Sequence, residues 1–114
     1  MVLKAGEKIH VMFRRKFDGD LRRHFAGEVT EASEQAARVD GYIFILHVMD
    51  NRYVRIQGLR TRIISLTDAG NIINVLPRNA NIEKTAYTMS KEKHLVVTDG
   101  ETFVLDVNEF GAGR

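Results

Sequence analysis

The chain has 114 residues, 44% of them hydrophobic and 28% charged, with one proline and no cysteine. That composition belongs to a folded domain rather than a disordered chain, and it excludes a disulfide framework and thiolate chemistry. The formal net charge is +2 but unevenly spread: residues 1–62 carry 12 Lys and Arg against 8 Asp and Glu, and residues 63–114 carry 5 against 7.

From the N-terminus, residues 8–14 alternate, with Ile9, Val11 and Phe13 on one face and His10, Met12 and Arg14 on the other. Period two with β-branched residues predicts a half-buried strand. Asp18-Gly19-Asp20 is a turn signal, flanked by two basic clusters, Arg14-Arg15-Lys16 and Arg22-Arg23-His24. A second strand is expected from Phe25, Gly27 and Val29, a reversal at Ser33-Glu34-Gln35, and a long third strand over 37–46. Apolar residues fall on both faces of that third strand's second half, Tyr42, Phe44 and Leu46 against Ile43 and Ile45. A strand of this kind is covered twice, by the core and by a neighbouring chain or segment. Gly27 and Gly41 mark the positions where a strongly curved sheet would bend.

Asp50-Asn51 predicts the next turn. Strands follow over 52–57 and 60–66, separated by Gly58, and over 71–76, ended by Pro77. Residues 78–84 are polar enough for one helical turn. Three further strand segments, 85–89, 95–98 and 102–107, complete an all-β pattern, with Asp99-Gly100 as a two-residue hairpin signal. Residues 108–114 read as a loose tail. No segment reaches the ~20 apolar residues of a membrane helix, and the first ten residues hold no run suited to a signal peptide. A cytoplasmic protein without a membrane partner is expected.

The chemistry-bearing residues are mostly cationic. Arg14, Arg15, Lys16, Arg22 and Arg23 are interleaved with Phe17 and Phe25, and Arg52, Arg55, Arg60 and Arg62 form a second cluster beside Tyr53. Arginine binds phosphate in a bidentate way and flat rings stack on bases, so the two clusters suit single-stranded nucleic acid if they open on one rim. The competing reading is a solvated hairpin and a charged strand edge that discourages unwanted pairing. His10, His24, His47 and His94 are scattered without metal-ligand spacing, and the C-terminal carboxylates Asp99, Glu101, Asp106 and Glu109 fit no calcium-loop pattern. No serine elbow or phosphate-cradling glycine loop is present, so neither catalysis nor a cofactor is expected.

The layout over residues 7–67 resembles the Sm-like family of small, strongly bent five-stranded barrels. It rests on a first strand, GEKIHVMF, a glycine-bearing second strand, FAGEV, a longer third strand, and Ile56-Gln57-Gly58. This last triplet stands where the family carries an Ile-Arg-Gly element lining its RNA site, with Gln57 in place of the arginine. The phrases RRHFAGEV, RTRIISL and VTDG resemble an uncharacterised phage-like and environmental set of such proteins. The resemblance implies a barrel over 1–77, a β-hairpin extension over 78–114 packed on it, assembly into a homo-oligomeric ring, and RNA or single-stranded DNA as partner. Gln57 and Gly58 enter the expected nucleic-acid site on the resemblance, beside the arginines and Tyr53. An oligomeric structural or adaptor module of phage or mobile-element origin is the alternative.

Overall fold

Period-two patterning becomes strand nearly everywhere it occurs. The computed structural model describes residues 2–15, 17, 19, 21–47, 49 and 52–107. Among them are nine strands: β1 (Lys8–Met12), β2 (Arg23–Ala32), β3 (Ala36–His47), β4 (Arg52–Arg55), β5 (Arg60–Ser65), β6 (Ile72–Leu76), β7 (Ala86–Met89), β8 (Leu95–Thr98) and β9 (Val104–Asp106). A single 3₁₀ turn, Ile82–Lys84, falls inside the polar stretch read as one helical turn. The predicted turns at Asp18–Asp20 and Asp50–Asn51 and the tail 108–114 lie wholly or partly outside the described residues.

The protein is all-β, with antiparallel ladders throughout. The first sheet runs β4–β3–β2–β1–β6, with β5 also paired to β3. β3 is long enough to hold two partners on one flank: its residues 36–41 pair with β5 and its residues 44–47 with β4. Four residues, 56–59, bridge those ladders where β3 spends only Tyr42 and Ile43. The 52–57 and 60–66 segments therefore share one flank instead of adding two positions to the sheet. Closure into a five-stranded barrel is not found: among the described residues no ladder joins β5 or β4 to β6.

Residues opposite one another in an antiparallel ladder share a face. Ile9 and Val11, Phe25 and Val29, Val39, and Ile64 thus point to one side, where they close a core with Leu3 and Ala37. Gly27 and Gly41 lie on this face and are ladder partners. A Cβ on either would overlap the other strand's backbone, at the Asp40 carbonyl or the Ala26 carbonyl. The paired glycines permit a strand approach that no other residue pair allows.

The outer face carries His10, Met12, His24, Ala26 and Phe44, all buried. Its cover is the second sheet, β7–β8–β9, reached through residues 77–85. Met12 packs there with Val97 and Val107, ringed by Tyr87, Leu95, Phe103 and Leu105. The second covering of β3 is thus supplied by the chain's own C-terminal segment.

The β8–β9 connection differs from the expected two-residue hairpin. It spans 99–103, and Gly100 has positive φ whereas Asp99 does not. The Asp99 carboxylate gathers the amides of Asn81, Glu101, Thr102 and Phe103 and the Thr102 hydroxyl, and so widens the loop. Burial acts to raise the Asp99 pKa, but these hydrogen bonds hold the carboxyl well below the usual range.

Candidate nucleic-acid interface

The antiparallel registers decide where the arginines go. Met12 pairs with both His24 and Ile72, Arg23 pairs with Ile45, and His47 pairs with Arg52. The 12–23 and 47–52 connections therefore lie at the same end of the sheet, and the 66–71 segment, which starts from Ser65 opposite Ala36 at the far end, arrives there at Ile72. Backbone bonds fix the flanks of the first loop: Phe13 N–H donates to Arg23 O at 3.1 Å, and Leu46 N–H to Arg22 O at 3.0 Å. Arg14, Arg15, Arg23 and Arg52 are exposed at this end and Arg22 is half-buried. The Arg14 stem lies against the Gly70 backbone, so tightly that a Cβ on Gly70 would overlap it. Phe17, Leu21 and Met49 add exposed apolar surface here. Lys16 lies outside the described residues.

The second arginine cluster is divided. Arg52 joins the basic end. Arg60 and Arg62 pair with Gly41 and Val39, in the other half of β3. His47 and Val39 are eight positions apart, about 26 Å along a straight strand. Gln57, Gly58 (φ +102°) and Leu59 lie exposed in the 56–59 bridge between the two halves.

Arg55 and Tyr53 turn into the structure. One Arg55 guanidinium nitrogen donates to the Glu83 and Thr85 carbonyls, and the guanidinium carbon sits 4.4 Å from the Tyr42 ring centroid. Tyr53 stacks on His24 with centroids 4.2 Å apart and on Tyr87 at 4.7 Å. Both side chains thus help to attach the C-terminal segment.

That stack borders a cluster that the spacing of histidines in the sequence did not reveal. The Tyr87 hydroxyl is 2.7 Å from His10 Nε2 and 2.7 Å from His24 Nδ1. Burial pushes the His10 imidazole down to about 4. Burial, then the His10 and Arg22 charges, takes His24 to about 3. Burial, with Tyr53 beside it, raises the Tyr87 phenol far above its ordinary value. All three groups are therefore neutral at pH 7. His10 Nδ1 and Asn74 Nδ2, on ladder partners, are buried without a hydrogen bond. Period two was the available signal, since His10 and His24 both lie on the face opposite the first core.

A cleft of about 530 Å³ opens elsewhere, between the cross-strand row Lys8, Glu28 and Asp40 and the segment 79–83. Its carboxylates, with Glu83, make it unsuited to a polyanion. No group of three or more His, Cys, Asp or Glu placed to share a metal ion occurs among the described residues. No helix among them is long and apolar enough to cross a membrane. No family model, curated protein or solved structure matches the chain.

Proposed function

We propose that the chain is an Sm-like β-protein that assembles with copies of itself and binds RNA or single-stranded DNA at its basic end. The observation that carries the proposal is the gathering of Arg14, Arg15 and Arg22 from the β1–β2 connection, Arg23 from β2 and Arg52 from β4 at one end of the sheet. Guanidinium groups at that density suit a phosphate backbone, and exposed Phe17 offers a ring for a base. Support for an Sm-like layout comes from the strongly paired first three strands, the long shared β3, and the opposed Gly27 and Gly41.

Self-assembly is supported by the edges. The outer flanks of β5 and β6 have no ladder partner among the described residues, and both strands expose apolar side chains: Ile63 at 61%, Val75 at 56% and Ile72 at 44%. Unpaired edges of this kind favour strand addition, and a head-to-tail contact between unlike edges closes into a ring when the rotation permits.

An oligomeric structural or adaptor module is the second reading, and Tyr53 and Arg55 favour it. These two expected base and phosphate contacts are engaged within the fold, whereas Phe17, Leu21 and Met49 give the basic end an apolar surface suited to protein. Fluorescence anisotropy with labelled oligonucleotides across a salt series separates the readings. Nucleic-acid binding predicts that log affinity falls linearly with log salt, by roughly 0.7 per phosphate neutralised on a single strand. Absence of binding at low salt overturns it in favour of the adaptor.

A further inference from the structure

We propose that the β7–β9 sheet is an acid-released cover. It is clasped to the outer face of the first sheet by the Tyr87 hydroxyl between His10 and His24, and it detaches as a unit when those rings gain protons while the first sheet stays folded.

Two separate cores make partial release feasible. The first contains Leu3, Ile9, Val11, Phe25, Val29, Val39 and Ile64 and, among the described residues, draws on nothing beyond Ile73. The second sits between the sheets: Met12 of the first sheet is buried in it, and Tyr87 packs on Phe44 and Tyr53. Beside that apolar seam, two polar contacts among the described residues tie the C-terminal segment to the first sheet. One is Arg55 on the Glu83 and Thr85 carbonyls, and the other is Tyr87.

The Tyr87 clasp has a fixed proton count. A phenol hydroxyl donates one hydrogen bond, and a neutral imidazole has one N–H and one bare nitrogen. The two 2.7 Å contacts are therefore satisfied when one histidine donates to Oη and the hydroxyl donates to the other histidine. If both rings are charged, both nitrogens present protons to the oxygen and the phenol proton has no acceptor. The ring centroids are 5.0 Å apart, so the two charges also repel.

Among the described residues no carboxylate bonds the clasp, and cations stand on both sides of it. β1 and β2 bring His10, Lys8, His24 and Glu28, with Arg22 and Arg23 ahead of His24 in the chain, and β3 brings Tyr42 in the His10 row and Asp40 in the Lys8 row. β4 contributes Arg52, Tyr53 and Arg55; β6 contributes Asn74, and β7 Tyr87. In β9 Asp106 is bonded at 2.8 Å to His94, just ahead of β8. No carboxylate bonds either buried ring among the described residues. The lowered proton affinity of both histidines agrees with this arrangement.

Amide NMR of the full chain, titrated from pH 7 to pH 3, tests the proposal. The β7–β9 resonances should lose their native positions together, with a steepness of about two protons, while β1–β3 resonances persist. In His24→Phe, which keeps a ring against Tyr53 but removes one proton site, the steepness should fall to about one proton. Loss of both sheets at one midpoint, or an unchanged steepness in the variant, overturns the proposal. Should His24→Phe fail to fold, Tyr87→Phe serves instead. It should lower hydrogen-exchange protection in β7–β9 about tenfold or more at pH 7 and leave β1–β3 unchanged. Equal loss in both sheets overturns the proposal as well.

Discussion

Gly27 of β2 and Gly41 of β3 stand directly opposite each other, each closing on the backbone of the other's strand. Replacement of either by alanine puts a methyl into a carbonyl that cannot move without breaking the β2–β3 ladder. Each substitution should cost about 3 kcal/mol or more. Gly58→Ala provides the contrast. Its φ of +102° strains an L-residue, but no atom lies within 4 Å of a new Cβ, so its cost should be about 1–2 kcal/mol. Urea midpoints of the three variants check the ranking.

Arg55 ties the sheet to the C-terminal segment rather than facing solvent. Arg55→Met keeps much of the stem but loses both carbonyl bonds and the contact with Tyr42. Stability should fall by about 2–3 kcal/mol. The salt dependence of oligonucleotide binding, measured where the variant is still folded, should not change.

The division of the arginines gives a sharper test of the proposed interface. Arg23→Ala and Arg52→Ala should each flatten the log affinity against log salt slope by roughly 0.7. Arg62→Ala, in the other half of β3, should leave it unaltered. Equal effects at all three positions would place nucleic acid along the length of β3 instead of at its end.

A charge on an unpaired strand edge opposes strand addition. Val75→Lys on β6 or Ile63→Lys on β5 should therefore shift the protein toward monomer in sedimentation velocity. Both side chains are more than half exposed, so the fold itself should lose no more than about 0.5 kcal/mol.

Asp99 supports the 99–103 loop and anchors Asn81. Its carboxyl is held below its unfolded range, so the folded state binds fewer protons. The stabilisation is complete above the unfolded pKa of about 4 and declines as pH falls below it. Asp99→Asn should lower the thermal midpoint at pH 7 by about 10 °C, which corresponds to about 2 kcal/mol. The difference from the parent should shrink toward pH 2, as calorimetry at several pH values would record.

The strands were legible because alternation survives in a single sequence: Ile9, Val11 and Phe13, or Val39, Gly41 and Ile43, need no knowledge of their partners. Gly27 and Gly41 stood out as glycines inside strand patterns, but that they oppose one another at close approach needed the β2–β3 register. The Asp99 loop was not legible, because a dipeptide cannot reveal that a carboxylate will collect four amides and a hydroxyl, one amide from Asn81 eighteen positions back. Tyr53 and Arg55 read as surface groups, since their strand alternates as an edge strand does. What turned them inward is a second sheet whose approach is set by contacts spanning about thirty residues. The same distance in sequence concealed the clasp, in which His10 and Tyr87 are separated by 77 positions. The convergence of the basic loops needed only the ladder registers, whereas the separation of Arg52 from Arg60 and Arg62 needed the knowledge that β3 serves two partners.

That shared flank of β3 has a practical corollary. Because β4 and β5 are each registered independently on one continuous strand, the residues that join them after Ile56, whose N–H still donates to Ile43 O, lie outside both ladders. Additional chain spliced in after Gly58 would leave every existing pairing undisturbed. Elongating that bridge is a route by which a small β-protein can acquire a new loop without relearning how to fold, and it marks the place for an engineer to graft a peptide.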